Sequence, residues 1–333
     1  MRFFVCLVNT DVRSPSDITR RAYEALPRTR GLACEWQRGT HAAVLTAGDD
    51  TYGSPLAALY GDHLAVGMVR LDNREELETW AVGARDTNLT DLELVLYTVA
   101  RHGTKYIPAI LGDFAFVVWN GTTHTAIAAS DALEVRKLYY SYSTQHGAIA
   151  FSSRAEALAL DERYDVRYLA ESVAKCTPSP ELTVYAGVRK LPGGHMAMVE
   201  RGALTTRRYW SVDDFEMEPF RVAAEREAPI ILRQLLATSV RLRLGDNGDT
   251  WAHLSGGLDS SSVVSMAQWL ADSGITSHGL AGTVTFVDSR DTDADEREYS
   301  DTVVQQWRVL NETVVEAPIW FDEHGSPPRY DQP

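Results

Sequence analysis

Basic residues, cysteines and long apolar runs are all scarce in this sequence. Lysine and arginine total 32 against 46 aspartates and glutamates, and the net charge of −14 excludes an extended nucleic-acid surface, which requires a basic face. Cys6, Cys34 and Cys176 lack metal-ligand spacing and cannot all pair, so the sequence predicts a protein of the reducing cytoplasm. The opening apolar run, Phe3–Val8, is too short for a signal peptide, and no run approaches a membrane span.

The length of 333 residues predicts two domains. Phe3–Val8 and Phe114–Trp119 are continuous apolar runs, typical of strands buried on both faces, and Thr90–Glu93 is a capping box that begins a helix. Many such strands with few helices predict two packed sheets covered outside by helices. An acidic segment then predicts a linker at 211–222, between a first domain at 1–210 and a second at 223–333.

The second domain is predicted to begin with a long helix and to continue as strand, glycine turn and helix. The first helix has an apolar inner stripe, made by Ile231, Leu232, Leu235, Leu236 and Val240. In the stretch 250–270, an apolar strand breaks at Ser255-Gly256-Gly257, and a helix follows whose apolar stripe is Val263, Met266, Ala267 and Leu270. Such a junction directs backbone N–H groups and the positive end of a helix dipole at one point, which suits an anion.

The turn carries the residues that a bound phosphate needs. Gly256 and Gly257 let the backbone approach an anion without a Cβ clash, and the neighbouring serines add hydroxyl donors. Asp259 would repel a phosphate unless a divalent cation lay between them, which indicates Mg²⁺. The stretch therefore predicts a pyrophosphate and magnesium site.

The sequence SGGLDSS at 255–261 resembles the PP-loop of the ATP pyrophosphatase superfamily, which activates a carboxylate as an acyl-adenylate. It has no Gly-Lys-Ser/Thr and is therefore not a Walker loop. The resemblance implies a doubly wound domain of the adenine nucleotide α-hydrolase type, with ATP and Mg²⁺ as its ligands, Mg²⁺ being held by Asp259. The residues that it assigns to ATP and pyrophosphate are Leu254, Ser255, Gly256, Gly257, Asp259, Ser260, Ser261 and Phe286, the last through its strand backbone next to adenine.

The first domain contains four motifs in sequence: TDLELVLY from Thr90, LGDFAFVVW from Leu111, SDALEVRKLYY from Ser130 and FSSRAEAL from Phe151. In this order they resemble the glutamine amidotransferase domain of asparagine synthetases. The stretch TVYAGVRKLPGGH from Thr183 resembles that family's passage into its synthetase domain. The resemblance implies an N-terminal Ntn-type αββα sandwich ahead of the PP-loop domain, a fold class of α/β and α+β.

The departures from the family imply that this domain is no glutaminase. Active members expose an N-terminal cysteine as nucleophile, whereas position 2 is Arg2, and Cys6 lies inside a predicted strand. Met68-Val69-Arg70 replaces the Asn-Gly-Glu that holds glutamine. Asp91 aligns with the acidic residue that binds the glutamine amine, but a first-turn aspartate beside a helix dipole is the interpretation we favour.

Two acidic features bear on the metal. The segment Asp288–Glu298 could hold a cation or be a solvated loop that caps the helix beginning near Asp295, and we favour the loop; Asp295-Glu296 matches a position where the family often has an acid. The family's later Ser-Gly-Gly-Asp-Glu motif and its lysines are missing, since no lysine follows Lys190. We therefore expect a chain truncated within the synthetase domain, with no complete set of catalytic residues and no activity alone.

The resemblance implies an AMP-forming amide ligase in which an amine displaces AMP from an adenylated carboxylate. The carboxylate would be a peptide Asp or Glu side chain, as in lasso-peptide cyclases, or that of aspartate, as in asparagine synthase; β-lactam synthetases share the pattern. A precursor peptide is an expected partner of the first, and neither nucleic acid nor membrane is expected. From a different class, the chain could be a non-catalytic nucleotide- or peptide-binding remnant.

Overall fold

The computed structural model describes eleven ranges of the chain, in two compact units, Met1–Glu216 and Met217–Gln332. The ranges are 3–8, 33–39, 42–48, 56–82, 88–143, 148–159, 163–177, 179–214, 222–245, 247–287 and 295–315. Within them, no helix is both long and apolar enough to cross a bilayer. The domain bounds given above stay a prediction.

The first unit contains two six-stranded antiparallel sheets. Sheet 1 has the order β10-β8-β9-β1-β3-β2, and its strands are β1 (Phe3–Val8), β2 (Ala33–Gly39), β3 (Ala42–Gly48), β8 (Leu138–Ser143), β9 (Ala148–Ser152) and β10 (Val188–Leu191). Sheet 2 has the order β12-β11-β7-β6-β5-β4, with β4 (Ala57–Tyr60), β5 (His63–Leu71), β6 (Gly112–Asn120), β7 (Thr125–Ser130), β11 (His195–Glu200) and β12 (Ala203–Arg208).

Strand β1 shows why the two sheets pack together. All six of its residues are buried, which confirms the prediction from its apolar run. Because side chains alternate along a strand, Phe4, Cys6 and Val8 face the core shared with sheet 2, which contains Val66, Val117 and Trp119. Phe3, Val5 and Leu7 pack on the other face in a cluster with Ala157 and Leu158. A strand covered on both faces is the expected product of a sequence without alternation.

Two helices cover the outer face of sheet 2. They are α1 (Arg74–Val82) and α2 (Asp91–His102), which bury Leu77, Val95 and Leu96 against Phe114 and Phe116 of β6. The predicted capping box is confirmed, since the Thr90 hydroxyl accepts from Glu93 N and Glu93 Oε2 accepts from Thr90 N. This capping fixes the residue at which α2 begins.

The second unit contains a parallel sheet with the order β13-β14-β15. The elements of this unit are α4 (Val222–Arg243), β13 (Trp251–His253), α5 (Leu258–Asp272), β14 (Gly282–Val287), α6 (Arg297–Trp307) and β15 (Asn311–Val315). Helix α3 (Val166–Val173) belongs to the first unit. Both pairings are parallel, and each connection between strands contains a helix. Leu254, Val264 and Val309 form a core that joins this sheet to α5 and α6. The arrangement is the opening of the predicted PP-loop domain.

Two predicted apolar stripes are partly wrong. In α4, Leu236 and Val240 pack against α5, but Ile231, Leu232 and Leu235 are 49%, 67% and 61% exposed. In the described part of this unit, the apolar residues of α4 that pack on α5 begin at Leu236, so the three residues before it remain exposed. In α5, Met266, Ala267 and Leu270 are buried as predicted, but the fourth buried position is Val264, and Val263 is 41% exposed.

Candidate functional site

The predicted phosphate loop lies between the end of β13 and the start of α5. Ser255 Oγ lies 2.9 Å from Ser260 Oγ, and Ser260 Oγ accepts a hydrogen bond from Ser255 N at 3.1 Å. Ser255 Oγ also accepts from Gly257 N at 3.2 Å. The serine hydroxyls therefore hold the turn closed across five residues, a role that the sequence analysis gave only to ligand binding.

The N-terminus of α5 is open to a ligand. Gly257 occupies the N-cap position and offers no side chain to the first turn of this 15-residue helix. The first intrahelical bond to Gly257 O comes from Ser261 N, at 3.3 Å. The N–H groups that precede Ser261 at a helix start have no intrahelical acceptor, and with the helix dipole they favour an anion.

The two glycines of the loop have different surroundings. At Gly257, an added Cβ would have only Ser255 Oγ nearby, at 3.3 Å, and the backbone angle φ of −72° is one that any residue adopts. The absence of a side chain therefore leaves open space at the helix start. At Gly256, an added Cβ would lie 2.7 Å from the carbonyl oxygen of Glu296. Gly256 is thus required by a neighbouring part of the protein.

Asp259 is exposed in the first turn of α5. It forms no ion pair with the described residues, so its carboxylate is available for a cation. One carboxylate and nearby hydroxyls match the oxygen donors that Mg²⁺ prefers when phosphate and water complete its shell. The described ranges contain no group of three histidine, cysteine or acidic side chains that could hold a metal without such help.

The backbone of Phe286 lies at the open side of β14. Val284 O accepts from Leu254 N at 2.9 Å, and β13 ends at His253. Because hydrogen-bonding groups alternate in direction along a strand, Phe286 directs its N–H and carbonyl to the same side as Val284, beyond the end of β13. Phe286 is 66% exposed, and the centroid of its ring lies 5.4 Å from that of the His253 ring. This placement leaves the Phe286 backbone free of the β13 ladder, as the adenine prediction requires.

Leu254 connects the loop to the sheet. Its side chain is fully buried, and its carbonyl oxygen accepts from Thr285 Oγ1 at 2.9 Å. The Thr285 hydroxyl therefore fixes the last residue before the loop. This contact is not predictable from the sequence, because a threonine within a strand carries no signal for it.

Three described positions that bear on glutamine hydrolysis hold side chains that are buried or paired within the protein. Arg2 lies outside the described residues. Cys6 is fully buried, and burial raises the pKa of its thiol to about 12, so it stays a neutral, apolar side chain. Arg70 pairs with Asp113 at 3.1 Å and with Asp72 at 2.8 Å, and Asp91 pairs with Arg74.

These two units define a glutamine amidotransferase-type sandwich followed by an asparagine synthase-type domain. The glutamine amidotransferase domain model matches residues 71–210, and the asparagine synthase model matches residues 231–318. Together the two matches cover more than half of the chain, and the chain belongs to the asparagine synthetase family.

Individual relatives are distant and much longer. The amidase chry2 of Gibberella zeae is 28% identical over 56% of this chain and 27% of its own length. Asparagine synthetase [glutamine-hydrolyzing] 1 of Bacillus subtilis is 27% identical over 60% of this chain and 31% of its own length. The chain thus spans about a third or less of these curated relatives. A glutamine phosphoribosylpyrophosphate amidotransferase from B. subtilis, solved with ADP and GMP, superposes with a TM-score of 0.43 at 13% identity over 95% of this chain and 81% of that chain.

One neighbour of the loop was not predicted as part of the site. Glu296, at the start of α6, lies directly against Gly256. The resemblance matches Asp295-Glu296 to an acidic position of the family, whereas the composition of the segment predicts a solvated loop. Of that segment, residues 288–294 lie outside the described ranges.

Proposed function

We propose that the chain functions as part of an ATP-dependent, AMP-forming amide ligase. The observation that carries the proposal is the α5 N-terminus, which has no side-chain cap and follows directly on the serine-closed turn at Gly257. An anion-binding helix start with an aspartate in its first turn suits a nucleoside triphosphate that is held with a divalent cation.

The reaction has two steps. A carboxylate oxygen of the substrate attacks the α-phosphorus of ATP, and pyrophosphate leaves. An amine then attacks the acyl carbon, AMP leaves, and the amine nitrogen loses a proton. The N–H groups of the α5 start and the Ser261 hydroxyl would bind the leaving pyrophosphate, and Asp259 would hold Mg²⁺, which would supply neutralisation of the pyrophosphate charge. The open backbone of Phe286 would orient adenine by its N–H and carbonyl.

The amine does not come from glutamine in this proposal. Cys6 is a buried neutral thiol, and the Asp91 carboxylate is occupied by Arg74. The substrate's own amine or free ammonia therefore displaces AMP. We propose cyclisation of a peptide, in which its N-terminal amine joins an Asp or Glu side chain, as the first candidate for the second step. The match to the asparagine synthase model supports amidation of aspartate by ammonia as the alternative.

The test begins with nucleotide binding by the full chain. Titration calorimetry with ATP and Mg²⁺ is expected to show saturable binding that Gly257→Ala weakens, because the new Cβ fills the space at the helix start. Gly274→Ala is the matched control, since Gly274 has open space around it and lies at the other end of α5, although its φ of +69° will cost some stability. Equal binding by both variants and the parent chain, or no binding by the parent, contradicts the proposal.

The two substrates are then compared through pyrophosphate release by a completed ligase that contains this chain. A peptide with a free amine and an acidic side chain is tested beside its N-acetylated form, and aspartate is tested with ammonium chloride. Loss of one water from the free peptide, seen by mass spectrometry and absent from the acetylated form, supports cyclisation. Formation of asparagine supports the alternative, and nucleotide binding without turnover on either supports a binding role.

A further inference from the structure

Glu296, at the start of α6, is in direct contact with Gly256, in the turn ahead of α5. An added Cβ at Gly256 would overlap the Glu296 Cβ, would lie 2.7 Å from its carbonyl oxygen and would lie 3.1 Å from its carboxylate Oε2. A Cβ atom does not come within 3.0 Å of a carbon or oxygen atom to which it is not bonded. Gly256 is therefore the residue type that lets α6 approach the phosphate loop.

The Glu296 backbone is held where it contacts the loop. Its carbonyl oxygen accepts from Tyr299 N at 3.0 Å and from Ser300 N at 3.3 Å, which are the first bonds of α6. Ser300 is fully buried within the unit. The contact with Gly256 thus joins two fixed segments, the first turn of α6 and the turn ahead of α5.

The Glu296 carboxylate lies beside the site where the proposed function puts phosphate. Its neighbour Arg297 does not neutralise it, since the Arg297 guanidinium is bound to Asp295, with Nη2 at 2.5 Å from Oδ2. Within the described ranges the Glu296 carboxylate forms no ion pair, so near the loop it repels an anion and attracts a cation. Asp259, in the first turn of α5, adds a second negative charge to the same end of the sheet.

We propose that Glu296 is a positioning and specificity-determining residue of the phosphate loop. Its backbone and Cβ hold Gly256 in place, and its carboxylate admits ATP that carries Mg²⁺ while disfavouring free ATP. The inference rests on the proposed function, because it concerns the discrimination of nucleotide forms at that same loop. The Glu296 carboxylate adds a charge-based discrimination between Mg²⁺–ATP and free ATP, which the SGGLDSS motif alone does not provide.

The test compares the dissociation constants of ATP with excess Mg²⁺ and with EDTA, for the full chain and for Glu296→Gln. This variant keeps the Cβ, the backbone and nearly the shape of the side chain. The quantity compared is the dissociation constant with EDTA divided by that with Mg²⁺. One unit charge about 4 Å from another contributes about 1 kcal/mol at a solvated position, so this ratio is expected to fall about fivefold in Glu296→Gln. A side chain that acts only through packing would leave this ratio unchanged.

Glu298→Gln is the matched control. Two residues along a helix correspond to a rotation of about 200°, so Glu298 lies on the side of α6 away from the contact with Gly256. The control is expected to keep the ratio of the parent chain. An unchanged ratio in Glu296→Gln, or an equal fall in both variants, overturns the inference while leaving the proposed function standing. Failure of the parent chain to bind Mg²⁺–ATP overturns both.

Discussion

The Nη1 atom of Arg74 lies 2.5 Å from Oδ1 of Asp91, the first residue of α2. The other carboxylate oxygen of Asp91 accepts from Leu71 N at 2.9 Å. Both oxygens of Asp91 are therefore engaged within the protein. The resemblance to asparagine synthetases gives this position to the amine of glutamine, and here an internal cation binds the carboxylate instead.

The first prediction is that the protein does not hydrolyse glutamine. The resemblance matches Arg2 to the family's nucleophilic cysteine, and Cys6 stays protonated far above neutral pH because burial raises its pKa to about 12. Glutamate release from glutamine by the purified chain is expected to equal the background without protein. Release above background that Cys6→Ala removes would show that the prediction is wrong.

The second prediction is that Arg74→Ala destabilises the first unit. Arg74 also pairs with Glu78 at 3.0 Å, and the Glu78 side chain is only 4% exposed. Removal of the guanidinium leaves a buried carboxylate without its cation, which costs about 3 kcal/mol when the pair is fully buried and less here, since Arg74 is partly exposed. Urea unfolding measures the loss. Arg167→Ala, which breaks a solvent-exposed pair with Glu171, is the control and is expected to change the midpoint little.

The third prediction is that Asp259→Asn removes Mg²⁺-dependent nucleotide binding without unfolding the second unit. The change is nearly isosteric, and Asp259 is exposed, so no packing is lost. In a completed ligase, loss of the cation's help is expected to lower pyrophosphate release by about a thousandfold. Thermal melting is measured beside it. A near-normal rate in a folded variant would make Asp259 an ordinary helix-start residue.

The fourth prediction concerns alkaline pH and Tyr139 on β8. Burial, and after it the carboxylates of Glu156 and Glu134, raises the pKa of the Tyr139 hydroxyl from 10.0 to about 12. A group whose pKa is higher in the folded state binds its proton longer there, so its contribution to stability is complete below pH 10 and is lost as the pH rises toward 12.

Tyr139→Phe tests this prediction, because the phenyl ring keeps the packing and cannot ionise. Its unfolding free energy is expected to fall less steeply than that of the parent chain between pH 10 and 12, by on the order of 1 kcal/mol. The measurement is a series of urea unfolding curves across this range. Identical slopes in the two proteins would contradict the assignment to Tyr139.

The sequence predicted those features whose signal is local. The buried strand Phe3–Val8, the capping box at Thr90 and the strand–turn–helix junction around Gly257 each depend on residues close together in the chain. The α4 stripe failed in part because burial of Leu232 and Leu235 depends on what lies against the helix, which periodicity does not specify.

The contact of Glu296 with Gly256 could not be predicted from spacing. The two residues are brought together by the parallel arrangement of β13 and β14 and the helices that follow each strand. A glycine in a loop has several possible causes, namely a positive φ, a ligand or a close neighbour, and the sequence does not distinguish among them. Only the positions of the surrounding atoms do.

Strand β1 occupies the middle of sheet 1, between β3 and β9, with Cys6 paired to Phe151. During synthesis on the ribosome, β1 therefore emerges long before one of its two neighbours exists. A strand that is apolar on both faces must wait for β9 with its edge unpaired, which exposes it to wrong partners. Pairing across so long a stretch of chain also slows folding, so the unit should depend on chaperones more than a helical domain of the same size.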